Sequence, residues 1–479
     1  MEWERPFEMV VGLEIHIQLN TKSKLFSADS TTFGAKENTL TNEVSLAHPG
    51  TLPVLNEQAI SSSIKLGLAC HSEISREMYF DRKHYFYPDS PLGYQITQQN
   101  KPICIGGYVS IPLDEKEKNI LLEKIHLEAD AGKSIHDQND RYSLIDLNRA
   151  GVPLLELVTK PVLKSPEEAG LFINEIQKIV RFLGISDGNM EEGSLRCDAN
   201  ISIKSKSTEE LGQKVEIKNM NSIRNVRKAL LFEYARQSDI LVAGAEVVAE
   251  SRLYNVDSGK TEGMREKEEA HDYRYFPDPD LAPYVVSEEM LNNIVSEMPL
   301  LPSSLRHLFV EEYNLSPGEA IILANDHQTS VLLKNLAEEG IVPEIAAKWI
   351  IGPVKGLLKQ KENIAINLSA NQLGRLIALV QANKVTYKNA VEGVLPELVK
   401  KLTANTDKLV AEMNLVVDDD ESSLSIIIDE ILMELPSEVD AYKNGKKALL
   451  QLFMGQVMKK TKGKADPKIT MKLIKDKLG

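Results

Sequence analysis

The chain reads as an α+β protein: a β-rich body over residues 1–293, a helical domain over 294–406 and a small helical tail over 407–479. Three observations carry that reading. Short alternating runs broken by glycines and prolines fill the first 290 residues. After Pro299-Leu300-Leu301-Pro302 the pattern turns acidic, leucine-rich and helical. A length of 479 residues also exceeds one ordinary core, so two or three domains are expected.

The first strand is Val10 to Leu19. Its alternation puts Glu14, His16 and Gln18 on one face and apolar side chains on the other. An acid two residues from an imidazole on one strand face can chelate a divalent cation, although Glu-x-His is a short and common pattern. The run Val152 to Val158 is apolar except for Glu156. A carboxylate there must be paired or metal-bound, since an isolated buried charge is costly; a salt bridge to a core arginine would also serve. Leu195 to Ile203 alternates again, with Asp198, Asn200 and Ser202 sharing a face, and Val215 to Lys218 sets Glu216 beside Lys218. Together these strands present carboxylates, amides and an ammonium on one surface, which suits a metal–phosphate site. A half-buried antiparallel sheet alternates in the same way.

Helices follow the usual start signals. Ser165-Pro166-Glu167-Glu168 offers a capping serine with proline at the first helical position. A second helix is expected from about Ile223 to Gln237. Ser369-Ala370-Asn371-Gln372 has capping-box spacing, and Asp418-Asp419-Asp420-Glu421 precedes an amphipathic run from Leu424 to Leu435. No internal repeat or low-complexity tract is evident.

Cys70, Cys104 and Cys197 are far apart and form no CxxC pair, which argues against a disulfide framework or structural zinc and fits a reducing cytosol. The start of the chain lacks a signal-peptide apolar core, and no apolar run approaches the ~20 residues of a membrane span. A soluble, cytoplasmic protein with no membrane partner is expected. Net charge is −14, yet residues 441–479 hold eleven lysines against Asp466 and Asp476. Such a basic tail on an acidic body attracts a polyanion, or is simply a solvated helix surface. Its lysines cluster at Lys459, Lys460, Lys462 and Lys464.

Four segments carry a family resemblance: Leu13-Glu14-Ile15-His16, Asn148 through Glu156, Glu191 through Asn200, and Glu216 through Ser222. They resemble the B subunits of the bacterial amidotransferases that act on misacylated Glu-tRNA(Gln) and Asp-tRNA(Asn), and the likeness spans nearly the whole chain. The resemblance implies a catalytic cradle domain, a helical linker and a YqeY-like tail that binds tRNA through the four clustered lysines. It implies a site of Glu14, His16, Glu156, Asp198 and Glu216 for Mg²⁺, with Lys218 on phosphate. ATP would phosphorylate the tRNA-bound carboxylate, and ammonia would then displace phosphate. It further implies a heterotrimer with a separate glutaminase subunit plus a small third subunit, and no DNA partner. No serine–lysine amidase signature or cysteine nucleophile stands out here.

Lys83, within the cation- and aromatic-rich segment Tyr79 to Asp89, matches a residue associated with the exit of the ammonia path. The family usually reads His-x-Glu-Glu-Asp-Ala-Gly-Lys where this chain has His126-Leu127-Glu128-Ala129-Asp130-Ala131-Gly132-Lys133. In that resemblance Ala129 removes a carboxylate associated with the metal and with incoming ammonium; regular strand parity puts His126, Glu128 and Asp130 on the face opposite Ala129, a bulge could redirect a neighbour, and Glu128 or Asp130 is expected to assume part of the missing role. Asp272 to Asp280 is expected to border the nucleotide or the tRNA end. Two rival readings are a non-catalytic tRNA-binding scaffold and an ATP enzyme acting on a free amino acid.

Overall fold

The computed structural model describes residues 6–113, 116–135, 142–208, 210–264, 273–359, 368–401, 403–417, 421–461 and 463–479. Two compact units divide at Pro302/Ser303. In the first, the strands that build and flank the polar sheet face include β1 (Phe7–Gln18), β2 (Asp81–His84), β3 (Tyr94–Thr97), β4 (Lys116–Ala129), β5 (Pro153–Thr159), β6 (Leu195–Ser205), β7 (Val215–Met220), β8 (Glu250–Asn255), β9 (Lys260–Gly263) and β10 (Phe276–Pro277). The main sheet runs β9-β8-β7-β6-β1-β5-β4, then the short pieces Cys104–Ile105 and Glu73–Ile74, with Tyr108–Leu113 also pairing β4. Its β7–β8 pair is parallel; its other pairs are antiparallel.

Strand parity decides the two faces. Val11, Leu13, Ile15 and Ile17 of β1 are wholly buried, in one cluster with Ile125 and Leu127 of β4, Leu155 and Leu157 of β5, and Ala199 and Ile201 of β6. Burying each such aliphatic side chain contributes about 2 kcal/mol. Three helices cover this face: α1 (Glu57–Ala69), α2 (Pro166–Phe182) and α3 (Ile223–Val242), through residues such as Ile64, Phe172 and Leu230. The opposite face keeps the polar side chains of β1, β4, β5, β6 and β7. That division positions the site.

The helix signals act as their chemistry requires. The Ser165 hydroxyl accepts from Glu168 N at 3.1 Å and opens α2. Ser222 caps α3, which runs one turn beyond the expected end, to Val242. Both bonds of the Ser369/Gln372 capping box form, and the later amphipathic run is the helix Glu421–Glu434. Asp418, Asp419 and Asp420 lie outside the described residues. A small second sheet, β10-β2-β3, is pinned by Arg82, which donates to Asp278 at 2.8 and 3.3 Å and to Asp280 at 2.7 Å. Asp272 lies outside the described residues.

The second unit is helical among its described residues. Two short π-helical turns, Ile350–Val354 and Ala390–Val394, interrupt it and were not legible as such in the sequence. Leu424, Ile428, Ile431, Phe453, Val457 and Ile474 form an apolar cluster of their own. No helix among the described residues is long and apolar enough to cross a membrane.

Candidate active site

Register across the sheet assembles the site. On β1, His16 lies opposite Glu156 of β5 on one side and Arg196 of β6 on the other, while Glu14 lies opposite Asp198. Glu156 faces His126 of β4, Asn200 faces Glu216 of β7, and Glu216 faces Ser251 of β8. Directly opposed residues on one face sit within side-chain reach, so residues distant in sequence meet. The five acidic and imidazole positions expected from sequence therefore share one surface, with Lys218.

Within that surface two groupings form. In the first, Glu156 Oε2 lies 3.4 Å from both His16 Nε2 and His126 Nε2, and Glu128 Oε2 lies 3.8 Å from His126 Nε2. The Thr97 hydroxyl donates to Glu128 at 3.3 Å. In the second, Lys218 Nζ lies 3.2 Å from Glu216 and 3.6 Å from Asp198, Asn200 Nδ2 donates to Glu14 at 2.8 Å, and the Ser251 hydroxyl donates to Glu216. The buried acid in the apolar run is thus paired with histidines, not with a core arginine.

Electrostatics differ between the groupings. Burial opposes charge on His126, but hydrogen bonds and charges from Glu128 and Glu156 prevail and lift its pKa to about 9. Burial likewise opposes charge on His16, where Glu156 prevails and the pKa rises. Burial raises Glu156, yet the two imidazoles hold it well below the usual carboxylate range. Glu14 is pushed up by burial and by the charge of Glu156, only partly offset by Asn200. Burial also raises Asp198 despite Lys218 beside it, and Lys218 is lifted because Asp198 and Glu216 outweigh its own burial.

Carboxylates pushed up in this way mark a face short of positive charge. A divalent cation beside Glu14 and Asp198 fits that shortage, whereas in the first grouping the two imidazoles already balance Glu156. One ligand atom from each of His16, Glu128 and Glu156 lies within 4.8 Å of the others, a spacing one ion can bridge. His126 was not singled out as a site residue from sequence, and Glu128 was expected there only as a stand-in for the carboxylate missing at Ala129. The signal was present: His126 and Glu128 share strand parity with each other and fall in register with Glu156 and Leu154.

The region around Ala129 follows the regular strand parity read from sequence. No bulge redirects a neighbour there: register from Lys124 to Ala129 is regular, and the irregularity lies between Val158 and Thr159. Regular pairing keeps Ala129 on the core side, where it is buried. Glu128 faces the histidines, while Asp130 is 2.8 Å from Arg196 and 3.6 Å from Arg149. Lys83 stands on β2 with its ammonium 4.8 Å from the Tyr273 ring centroid. In the tail, Lys459 is exposed and Lys464 half-buried. Lys460 is engaged by Glu430 and Glu434 at 2.8 and 3.0 Å, and Lys462 lies outside the described residues.

Comparison with known proteins meets this geometry from another direction. Residues 9–292 match the GatB/GatE catalytic domain, and residues 332–478 match the GatB domain. The aspartyl/glutamyl-tRNA(Asn/Gln) amidotransferase B subunit of Rickettsia bellii (strain RML369-C) is 44% identical over 476 residues, 99% of this chain and 98% of the relative. That of Rickettsia rickettsii (strain Iowa) is also 44% identical, covering 98% of each chain. Its counterpart in Prochlorococcus marinus (strain MIT 9515) is 43% identical over 485 residues, 99% of each. With one model spanning more than half its length and relatives matched end to end, the chain belongs to the GatB/GatE family, alongside the B subunits of aspartyl/glutamyl-tRNA(Asn/Gln) amidotransferases.

Proposed function

We propose that this chain is the carboxylate-activating component of a glutamine-dependent, tRNA-dependent amidotransferase. It would convert misacylated Glu-tRNA(Gln), Asp-tRNA(Asn) or both into the correct amides. The observation that carries the reading is the cross-strand face of Glu14, His16, Glu156, Asp198 and Glu216 with Lys218 in ion pairs of 3.2 and 3.6 Å. Membership of the family along the whole chain supports it.

A carboxylate is a poor electrophile with a poor leaving group. Transfer of the γ-phosphoryl group of ATP to the side-chain oxygen supplies the leaving group, and attack of ammonia on the carbonyl carbon then releases phosphate. Lys218 is set to pair with phosphate oxygens. Glu14, whose pKa burial raises, is suited to take the proton that ammonia loses. His16, Glu128 and Glu156, with Asp198 and Glu216, would hold Mg²⁺, which when bound neutralises and aligns phosphate charge. His126 braces Glu156 and Glu128 from the buried side.

The relatives are named as B subunits, which implies an assembly of several different chains. A separate glutaminase subunit would deliver ammonia through an enclosed route, since bulk water would protonate it, and a small third subunit would brace the pair. Lys83, Glu128 and Asp130 are the proposed residues at the ammonia exit. If Glu128→Gln and Asp130→Asn each left ammonia-dependent activity intact, neither would stand in for the carboxylate missing at Ala129. Lys459, Lys460, Lys462 and Lys464 are proposed to meet the tRNA backbone. The division into a cradle over 1–293, a linker over 294–406 and a tail over 407–479 belongs to the same proposal, and the separate apolar cluster of the tail supports it.

The test is amidation of misacylated tRNA by the assembled complex, with ATP, Mg²⁺ and ammonium in place of glutamine. Asp198→Asn is expected to lower turnover at least a hundredfold while tRNA binding persists, on the scale of losing an electrostatic group at a reacting centre. Equal turnover in both proteins would favour a non-catalytic tRNA-binding scaffold.

A further inference from the structure

We propose that Ser251 is a positioning residue for the amidation chemistry, acting through Glu216 on Lys218. This role deepens the proposed function and rests on it. Strand β8 shows how a single serine comes to serve the site. Alternation along Glu250–Asn255 sends Ser251 and Leu253 to one face, and Glu250, Arg252 and Tyr254 to the other. On that other face Tyr254 is buried in the core, and Arg252 meets the fully buried Glu233 at 3.0 Å. The register then sets Ser251 opposite Glu216 and Leu253 opposite Lys218. Of these two β8 residues only Ser251 is polar, so the polar face extends to β8 beside Glu216 through its hydroxyl.

That contact divides the Glu216 carboxylate. The buried Ser251 hydroxyl donates to Oε2, while Oε1 lies 3.2 Å from Lys218 Nζ. Lys218 in turn lies 3.6 Å from Asp198. With one oxygen held by a neutral hydroxyl, the carboxylate keeps one orientation and the ammonium stays between two acids. Without the hydroxyl, both Glu216 oxygens compete for Lys218 and draw it away from Asp198. Ser251 is itself well held: its carbonyl accepts from Met264 N at 3.1 Å, and Arg252 anchors the reverse of the strand. Hydrogen-bond partners that orient a charged site residue in this way typically cost about 10–100-fold in activity when removed. A serine that only joined β7 to β8 would alter the melting temperature and leave the turnover of folded protein alone.

Single-turnover amidation of misacylated tRNA by the assembled complex, with ATP, Mg²⁺ and ammonium, tests the role. The parent is compared with Ser251→Ala, Ser251→Thr, Glu216→Ala and the double variant Ser251→Ala/Glu216→Ala. Melting temperatures identify the folded proteins. Should Ser251→Ala not fold, Ser251→Cys, whose thiol is a weak donor, takes its place.

Ser251→Ala is expected to lower the rate about tenfold or more, with the half-saturating tRNA concentration unchanged. Ser251→Thr keeps the hydroxyl and is expected to recover most of that loss. In the Glu216→Ala background, Ser251→Ala is expected to cost nothing further, because the carboxylate it positions is gone. A parental rate in folded Ser251→Ala overturns the inference, as does a loss that adds in full to that of Glu216→Ala. A parent complex that fails to amidate would instead count against the proposed function. A crystal structure of Ser251→Ala then decides the positioning role by itself: Glu216 turned from its parental orientation upholds it, and an unchanged pair of Glu216 and Lys218 overturns it.

Discussion

Single residues carry much of the chemistry, and Lys24 illustrates how far burial can move one. Its side chain is fully buried, its ammonium lies 3.9 Å from Asp29, and it donates to Leu147 O at 3.4 Å. Burial lowers its pKa to about 8 from an ordinary 10.5, against the opposing pull of Asp29 and Asp146. The unfolded chain therefore binds more protons than the fold between these values, so stability must rise with pH across that window. A shift of this size corresponds to about 3 kcal/mol, with the full cost borne below about pH 8. Urea unfolding of the parent and of Lys24→Met from pH 7 to 10.5 should show the parent gaining that amount relative to the variant; parallel curves would contradict it. Glu156→Gln is the matching test on the sheet. It leaves His16 and His126 without their shared anion, and direct calorimetric titration should show Mg²⁺ or Mn²⁺ affinity reduced at least tenfold.

Elements constrain one another through close approaches that only packing reveals. Gly67 on α1 is such a point: a methyl there would stand 2.4 Å from Cys104 Sγ and 2.7 Å from Ile74 Cδ1. Alanine favours helix over glycine by about 1 kcal/mol, yet overpacking of this kind costs about 1–3 kcal/mol. Gly67→Ala should lower the melting temperature, and Cys104→Ala in the same chain should recover part of the loss. Between α3 and the sheet edge the tie is ionic. Glu233 is fully buried and meets Arg236 at 2.9 Å and Arg252 at 3.0 Å, with Gln237 donating at 3.1 Å and the Thr261 hydroxyl donating as well. Removing one partner of a buried pair strands the others, so Glu233→Ala should cost about 3–5 kcal/mol in thermal unfolding.

For the whole molecule the charge distribution sets the expectation. An acidic body and a basic tail predict tRNA affinity that falls steeply with salt. Because Lys459 is exposed while Lys460 is engaged by Glu430 and Glu434, the two should behave differently. Lys459→Ala is expected to reduce the slope of log affinity against log salt by about one, as loss of a phosphate contact does. Lys460→Ala should change it less. Equal effects would mean that the acids release Lys460 when tRNA binds.

Sequence by itself determined the fold class, the strand faces and the family. Alternation assigns a face to each side chain wherever pairing is regular, so Glu14, His16, Asp198 and Glu216 were legible as polar-face residues before any partner strand was known. Capping chemistry is equally local, which is why Ser165 and Ser369 mark helix starts correctly. Tertiary structure alone decided which strands are neighbours and in what register. That pairing sets His126 beside Glu156 and brings Glu128 to the same cluster. It also sets Ser251 beside Glu216. Such contacts depend on long-range packing, for which a linear pattern of residues carries no distance.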